Sequence, residues 1–396
     1  MLSSLLHRFN EPETLKMAKL GRALREAGHD ITDLSLGEPD FNTPDHIKEA
    51  AKQAIDENYS HYTPVAGYLD VRKAICTKLE RDNNLVYTPE QIIISTGAKQ
   101  CIANLVLSIV DVDDEVIIPT PYWVTYSEIV RLAGGTVKLV RTSLTSGYKI
   151  NPQQLEDAIT PKTKLFMFSS PCNPTGALYT KDELAGLVRV FEKHPQVYIM
   201  SDEIYEHINY TGNHESIASF PSIKDRVIVI NGLSKGFAMT GWRLGYLAAS
   251  NEIARACEKV QGQFTSGTSA ISQRATIAAL TGDLMPTKEM TAQFLQRRNK
   301  VIEWLQAIPG VQVETPPAAF YVFPDVHAFF GKTTPSGNKI ENADDLCMYL
   351  LNDAHVSTVS GKAFGEPNCI RMSFANSLNN LEKGFSKIKK ALEALH

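Results

Sequence analysis

The sequence has few cysteines, and none of them lies in a pattern that binds metal or forms a disulfide framework. The six cysteines among 396 residues are each more than twenty residues from the next, with no Cys-x-x-Cys and no histidine pair nearby. Structural zinc sites and small disulfide-rich secreted domains both need closer spacing. We therefore expect buried thiols, no metal site, and the cytoplasm as the compartment.

Long apolar runs and charge of one sign are also missing. No window approaches about 18 uncharged apolar residues, so we expect no membrane-spanning segment. Met1 to Leu6 is short for the apolar part of a secretory signal, and Glu11 and Glu13 follow soon after. The 40 basic and 44 acidic residues leave a net charge of −4, which argues against nucleic acid as a partner. No Gly-x-Gly-x-x-Gly follows a strand-like run, which argues against a nicotinamide-dependent dehydrogenase.

Short apolar runs alternate with amphipathic segments over most of the chain. We predict helices at 15–28, 45–57, 70–81, 98–110, 122–133, 152–159, 180–193, 251–261, 286–307, 342–353 and 377–395. We predict strands at 92–94, 116–118, 137–140, 165–168, 197–200, 227–230 and 244–248, with further strand-like segments at 320–323 and 369–374. Strands that are apolar on consecutive residues, with helices between them, indicate a mainly parallel sheet covered on both faces.

The fold class is therefore α/β, with a seven-stranded, mainly parallel sheet in a large domain and a smaller α+β domain beside it. We predict that residues 46–290 form the large domain and residues 291–396 the small one. Residues 1–45 are expected to form an N-terminal arm and part of the small domain.

Polar groups follow five of the predicted strands, and a sixth polar group comes shortly after the last of these. They are Ser95-Thr96-Gly97-Ala98-Lys99, Pro119-Thr120-Pro121-Tyr122-Trp123, Ser169-Ser170-Pro171-Cys172-Asn173-Pro174-Thr175-Gly176, Ser201-Asp202-Glu203-Ile204-Tyr205, Asn231-Gly232-Leu233-Ser234-Lys235-Gly236 and Gly241-Trp242-Arg243-Leu244-Gly245. Ligands of open parallel sheets bind beyond the carboxyl ends of the strands. These groups are therefore expected to face one site.

Each of these residues, taken alone, has an ordinary structural explanation. Lys235 reads as a solvated surface lysine, Asp202 as a helix cap and Asn173-Pro174 as part of a turn. Trp123 reads as a core residue and Arg243 as a member of a surface ion pair. Their occurrence together, in order and at strand ends, is what favours a functional site.

The ordered motifs resemble those of the class I pyridoxal-phosphate aminotransferases. The resemblance rests on Asn173-Pro174-x-Gly176, Asp202-x-x-Tyr205, Ser234-Lys235, Gly241-Trp242-Arg243-x-Gly245 and Arg371-x-Ser373, and it extends from Gly37-Glu38-Pro39-Asp40-Phe41 to Arg371. Within that family, Thr96-Gly97-Ala98-Lys99-Gln100 and Tyr122-Trp123-Val124 are most similar to the bacterial subgroup of aspartate aminotransferases. The implied fold is that of the type I pyridoxal-phosphate-dependent transferases.

The resemblance implies that pyridoxal 5'-phosphate is the cofactor and that Lys235, Asp202 and Tyr205 are catalytic. Lys235 would form the Schiff base and carry a proton, which requires a lowered pKa. Asp202 would keep the pyridine nitrogen protonated, because a neighbouring carboxylate favours the charged form. Asn173 and Tyr205 would bond the ring's phenolate oxygen, and Trp123 would stack on the ring.

The cofactor's phosphate is expected at the start of the helix that follows Gly97 and Ala98, with Lys99 next to them. Helix N-termini offer free amides to anions, and Ser234 and Arg243 would add a hydroxyl and a cation. By resemblance, Tyr62 reaches the phosphate of a neighbouring subunit, which implies a homodimer with shared sites. Many relatives have Ser or Thr in place of Gly232, so one phosphate hydroxyl is expected to be missing.

The substrate-binding residues implied are Gly37, Lys99, Trp123, Asn173, Arg371 and Thr14. Arg371 would bind the α-carboxylate, since its planar fork matches a carboxylate. A cation in a helix's first turn opposes the macrodipole, so Lys99 is interpreted as a ligand of the distal carboxylate of aspartate or glutamate, with Thr14 assisting. The alternative, a solvated lysine, stays open. Tyr321 is a weaker candidate for the same pocket.

The expected activity is a ping-pong aminotransferase that passes an amino group between an L-amino acid, aspartate first, and 2-oxoglutarate. Aromatic amino acids or prephenate remain alternative substrates, and a lyase, cyclopropane-carboxylate synthase or racemase would use the same cofactor. A cofactor-sensing regulator is disfavoured, because the two domains leave no room for a DNA-binding module.

Overall fold

Helices and strands alternate through most of the computed structural model, which describes residues 2–396. Its α-helices are α1 (Glu13–Glu26), α2 (Asp45–Asp56), α3 (Leu69–Asn83), α4 (Ala98–Ile109), α5 (Thr125–Ala133), α6 (Pro152–Ala158), α7 (Lys181–Phe191), α8 (Asn251–Phe264), α9 (Ala270–Thr281), α10 (Met285–Gln306), α11 (Ala343–Asn352) and α12 (Leu378–Glu393). Its strands are β1 (Thr32–Asp33), β2 (Ile92–Ser95), β3 (Glu115–Thr120), β4 (Thr136–Arg141), β5 (Thr163–Ser169), β6 (Tyr198–Asp202), β7 (Val227–Gly232), β8 (Gly245–Ala248), β9 (Tyr321–Val322), β10 (Val356–Ser357), β11 (Val359–Ser360) and β12 (Ile370–Ser373).

The largest sheet in the described residues has seven strands in the order β2-β8-β7-β6-β5-β3-β4. All neighbours pair in parallel except β8, which is antiparallel to both β2 and β7. β2 therefore points the same way as the parallel strands. The prediction of a seven-stranded, mainly parallel sheet is confirmed.

The two faces of this sheet pack against separate apolar clusters. On β7, Val227 and Val229 belong to one cluster, while Ile228 and Ile230 belong to the other. Alternate side chains of a strand point to opposite faces, so a run that is apolar at every position is buried on both sides. This burial explains why consecutive Val and Ile residues predicted the strands.

The N-terminal segment packs with the C-terminal third of the chain. β1 pairs in parallel with β10, and Leu34 shares an apolar cluster with residues of α10 and α12, Phe294 and Phe385 among them. β11, β12 and β9 form an antiparallel sheet next to it. The predicted domain boundary between residues 290 and 291 falls inside α10, so one helix runs across it.

Two helix predictions differ from the structure. The predicted helix at 122–133 begins at Thr125, because Tyr122 and Trp123 lie in the turn that leads into it. Helix α9 was not predicted, and its buried residues include Ser272, Gln273 and Thr276. A helix buried on several sides shows no amphipathic stripe, so the pattern that signals a helix is missing.

No helix within residues 2–396 is both long enough and apolar enough to cross a membrane.

Candidate active site

A cavity of about 240 Å³ lies where the carboxyl ends of the parallel strands meet the N-terminal segment and β12. Ser169 ends β5 and Asp202 ends β6, and the two residues pair across the strands. The N-terminus of α4 reaches the same edge because β2 points the same way as the parallel strands. The cavity is lined by Thr14, Leu15, Ser35, Leu36, Gly37, Ala98, Lys99, Trp123, Tyr126, Ser169, Asn173, Asp202, Ile204, Tyr205, Ser234, Lys235, Thr240, Arg243, Tyr321 and Arg371.

Nearly all of the residues predicted for the site line this cavity. Those are Thr14, Gly37, Ala98, Lys99, Trp123, Asn173, Asp202, Tyr205, Ser234, Lys235, Arg243, Arg371 and the weaker candidate Tyr321. Gly97 lies at its edge, against Arg243. Tyr62 is apart from the cavity, and its side chain is fully exposed.

Lys235 follows β7, and its amine points into the cavity. Its Nζ donates a hydrogen bond of 2.6 Å to the carbonyl of Gly37 and lies 6.0 Å from the centre of the Tyr205 ring. Burial lowers the pKa of this amine to about 8, with Arg371 and Arg243 lowering it further and Glu38 opposing them. The neutral amine that nucleophilic chemistry needs is therefore accessible close to neutral pH.

Asp202 is a buried carboxylate with donors on both oxygens. The Tyr126 hydroxyl donates to Oδ2 at 2.7 Å, and the Ile204 amide donates to Oδ1 at 3.2 Å. Burial raises the pKa of Asp202 to about 6, whereas these hydrogen bonds and Lys235 lower it. The group thus titrates near neutral pH and can hold a proton at a basic atom of a ligand.

Tyr205 and Tyr321 are bonded to each other through their hydroxyls, which are 2.7 Å apart. Burial raises the pKa of Tyr205 well above its usual value. The phenol therefore stays protonated at neutral pH and can act as a hydrogen-bond donor.

The N-terminus of α4, Ser234 and Arg243 surround one end of the cavity. Gly97 has φ of +86°, and a Cβ there would overlap the guanidinium of Arg243. The first amides of a helix have no partner within the helix. These amides, the Ser234 hydroxyl and the Arg243 cation make a built anion site.

Gly232 is packed against β8 rather than open to the cavity. It pairs with Gly245, and a Cβ on Gly232 would lie 2.9 Å from the Gly245 Cα and 2.9 Å from the Leu244 carbonyl oxygen. A Cβ on Gly245 would in turn overlap the Ala98 nitrogen. The two glycines thus let the start of α4 sit directly on the sheet, which is a reason for glycine at position 232.

Arg371 brings a buried cation to the other part of the cavity. One Nη donates to Asn173 Oδ1 at 3.1 Å and the other donates to the carbonyl of Ser35. Its Nε is buried without a hydrogen-bond partner. A buried guanidinium that is bonded only to neutral acceptors is available for a carboxylate.

Lys99 lies in the first turn of α4 and lines the cavity with an exposed side chain. Its Nζ is 5.1 Å from the centre of the Trp123 ring. Partial burial and the nearby Arg243 lower the pKa of this lysine. An anion bound in the cavity would raise that pKa again, and the roles of distal-carboxylate ligand and of solvated lysine both stay predictions.

Three polar residues of the cavity were missed by sequence reasoning: Ser35, Tyr126 and Thr240. Tyr126 reads as part of an apolar helix face and has no local signal. Thr240 donates from Oγ1 to Glu38 at 2.8 Å, and its carbonyl accepts from Arg243. Ser35 and Thr240 stand beside motifs that were recognised.

Comparison with known proteins identifies the family. Residues 29–388 match the aminotransferase class I and II family. The chain belongs to this family. The chain is 43% identical to an aspartate/prephenate aminotransferase of Cereibacter sphaeroides, with 98% of each chain covered, and 42% identical to an aspartate aminotransferase of Bacillus subtilis, with 96% of each covered. The crystal structure of the aspartate aminotransferase of Rhizobium meliloti matches with a TM-score of 0.97 at 40% identity over the whole of both chains.

These matches confirm the predicted family and its type I fold, and they make the chain a pyridoxal-phosphate-dependent aminotransferase. The residues present fit that cofactor. The cavity holds a half-buried amine of lowered pKa, a buried acid at a strand end, and an anion site at the start of a helix. These groups match the aldehyde, the ring nitrogen and the phosphate of pyridoxal phosphate respectively.

Proposed function

We propose that the protein transfers an amino group between L-aspartate and 2-oxoglutarate by a ping-pong mechanism. The observation that carries the proposal is the presence of two cations in the cavity besides Lys235 and Arg243, which are assigned to the cofactor. These two are Arg371 and Lys99, and neither is bonded to an acid. Aspartate, glutamate and their oxo acids have two carboxylates each. The names of the relatives, aspartate aminotransferase among them, support the same substrate class.

When bound, pyridoxal phosphate supplies a conjugated ring that takes up the electron pair released from the substrate's Cα–H bond. Lys235 holds and moves the proton at Nζ, for which its pKa of about 8 is suitable. Asp202 keeps a proton on the ring nitrogen. Asn173 and Tyr205 hold the ring's phenolic oxygen, and Trp123 stacks on the ring face.

The phosphate is held by the amides of Ala98 and Lys99, which follow the turn at Gly97, together with Ser234 and Arg243. We further propose a homodimer in which Tyr62 of one copy completes the phosphate site of the other. The side chain of this tyrosine is fully exposed, so it is free to reach a second copy of the chain.

Arg371 binds the α-carboxylate, which Gly37 approaches by its backbone, and Lys99 binds the distal carboxylate with help from Thr14. We also propose a cytoplasmic location. The free thiols of Cys76, Cys101, Cys172, Cys257, Cys347 and Cys369 suit a reducing compartment.

A second candidate substrate is prephenate, since relatives carry the names aspartate/prephenate aminotransferase and glutamate/aspartate-prephenate aminotransferase. Prephenate also has two carboxylates, so the same two cations suit it. Initial rates with aspartate as donor and either 2-oxoglutarate or prephenate as acceptor separate the two readings.

Substitution of Lys99 by Met tests the substrate assignment, since it keeps the apolar stem and removes the charge. A hydrogen bond to a charged group contributes about 1.5–3 kcal/mol. We expect kcat/KM for aspartate to fall by roughly 10- to 150-fold, while that for alanine stays within a few fold. Lys224→Met is the matched control, because Lys224 lies over the Tyr87 ring outside the cavity. Equal losses for aspartate and alanine would remove the case for acidic specificity.

A further inference from the structure

Tyr126 is a cavity residue for which the mechanism above has no use. It lies in the first turn of α5, it is wholly buried, and its ring packs edge-on against Trp123 at 5.6 Å between centres. Its hydroxyl donates to Asp202 Oδ2 at 2.7 Å. No other side chain of the described residues donates to this carboxylate.

The surroundings of Asp202 make that single bond important. Burial and the neighbouring Glu203 both disfavour the ionised carboxylate, while Lys235, Tyr126 and the Ile204 amide favour it. Burial outweighs the donors and raises the pKa to about 6, so the loss of one donor would bring the pKa closer to neutral pH and leave less of the carboxylate ionised.

Ser169 lies next to this pair. It is the residue of β5 that pairs with Asp202, its side chain is buried, and its hydroxyl has no hydrogen-bond partner. Burial raises the pKa of the Tyr126 phenol, Asp202 and Cys172 raise it further, and Ser169 opposes them. A hydroxyl with a free donor beside the Tyr126 oxygen can donate to it and strengthen the bond from Tyr126 to Asp202.

We propose that Tyr126 is a positioning residue that keeps the Asp202 carboxylate ionised and oriented towards the cofactor's ring nitrogen, with Ser169 supporting it from behind. This inference rests on the proposed role of Asp202. The shared proton can lie on the ring nitrogen, beside an ionised Asp202, or on Asp202, beside a neutral ring. A hydrogen bond donated to the carboxylate favours the first arrangement. The positive ring is the state that withdraws electrons.

The proposal predicts a spectroscopic change in the Tyr126→Phe holoenzyme, besides a loss of rate. A positive ring nitrogen disfavours a second proton on the linkage between Lys235 and the cofactor. We expect the pH midpoint of the visible absorption band to rise by about one unit in Tyr126→Phe, and kcat for aspartate to fall roughly tenfold.

Tyr122→Phe is the matched control. Tyr122 is also buried, and its hydroxyl bonds Ser127 at 3.2 Å instead of Asp202. We expect both the midpoint and kcat of this variant to stay at the wild-type values. Equal shifts in the two variants would assign the effect to general packing and overturn the proposal.

A double-mutant cycle with Asp202→Ala tests whether Tyr126 acts through the acid. We expect Tyr126→Phe to have no further effect on the midpoint once Asp202 is replaced. Additive shifts would contradict the proposal. If Tyr126→Phe lost activity while Asp202→Ala kept the wild-type activity, the proposed role of Asp202 would be refuted instead. A failure of this inference can thus be told apart from a failure of the proposed function.

Fluorotyrosine at position 126 serves if the phenylalanine variant folds poorly, since it keeps the size of the ring and makes the phenol a stronger donor. We expect the midpoint to move below the wild-type value, and an upward move would overturn the proposal. Ser169→Ala is expected to raise the midpoint by less than Tyr126→Phe does. A rise as large as that of Tyr126→Phe would contradict the supporting role of Ser169.

Discussion

Two pairs of a lysine and an acid lie near the end of β6, and their charges are held in opposite ways. Lys78 and Glu206 form an ion pair with side-chain exposures of 1% and 5%. Asn231 donates to Glu206 Oε1 and Asn83 donates to Oε2, each at 2.9 Å. Burial would raise the pKa of Glu206, but Lys78 and the nearby His207 and His214 hold it far below its usual value.

Asp202 is as deeply buried and Lys235 is half-buried, yet their hydrogen bonds go to neutral groups. Lys235 donates to a backbone carbonyl, and Asp202 accepts from a phenol and an amide. Their pKa values move towards neutrality, to about 8 and about 6. Lys78 and Glu206 neutralise each other, so both stay charged and their role is structural. Lys235 and Asp202 are not paired with opposite charges, so they can exchange protons with a ligand.

Glu203, Glu206 and His214 come close enough together to suggest a cation site. Glu203 Oε1 accepts hydrogen bonds from Ser201 and Ser216, and its Oε2 is 3.0 Å from His214 Nε2. Lys78 already supplies the positive charge to Glu206. The carboxylates of this cluster already have hydrogen-bond donors and a positive charge from the protein, which is typical of a structural role.

The largest expected difference between the pairs is in turnover. Lys235→Met should lower kcat for aspartate by at least roughly 10⁴-fold, because it removes both the cofactor's attachment point and the proton carrier. Lys78→Met, assayed per folded molecule, should keep kcat within about tenfold of the wild type. Steady-state assays with cofactor in excess measure both. Wild-type turnover in Lys235→Met would refute the functional assignment.

Replacement of the two acids, Asp202 and Glu206, should also affect kcat unequally, but by a smaller factor than replacement of the two lysines. Asp202→Asn should lower kcat by about 10²–10³-fold, since the variant cannot provide the charge that stabilises a protonated ring. Glu206→Gln is the matched change in the structural pair and should leave kcat per folded molecule nearly unchanged. Similar losses of kcat in the two variants would erase the distinction between the pairs.

The effects on stability should be in the reverse order, with Lys78→Met less stable than Lys235→Met. Lys78→Met leaves the Glu206 charge buried without its cation, so the free energy of unfolding of the apoprotein should fall by about 3–5 kcal/mol. Lys235→Met removes an amine whose burial is unfavourable, and the variant should be at least as stable as the wild type. Urea denaturation monitored by circular dichroism measures both. A greater loss in Lys235→Met than in Lys78→Met would contradict the comparison.

The pH dependence of apoprotein stability is the subtlest difference. Asp202 binds its proton more tightly in the folded state, so its contribution should decrease as pH rises from about 4 to about 6. The lowered pKa of Lys235 should make stability increase as pH rises from about 8 towards 10.5. Each effect is at most about 3 kcal/mol. The free energy of unfolding should be measured against pH for the wild type, Asp202→Asn and Lys235→Met. The difference between the wild type and each variant should show the slope expected for that residue. A difference that does not change with pH would contradict the assigned pKa shifts.

The sequence predicted the sheet because its strands are apolar on consecutive residues, and it predicted most site residues because they follow those strands. It could not distinguish Asp202 from Glu203 and Glu206, which stand close to it in the chain, without the family motif. Which acid meets Lys78 depends on the packing of α3 against the sheet. Tyr126 likewise gains its partner only when β6 and α5 are brought together, and helix α9 was missed because its buried face contains polar residues.

Reduction of the holoenzyme with borohydride, followed by peptide mass spectrometry, identifies the lysine to which the cofactor is attached. We expect one reduced cofactor per chain, attached to the Nζ of Lys235 and absent from Lys78 and Lys99. A cofactor attached to another lysine, or no attachment at all in a protein that transaminates, would contradict this expectation.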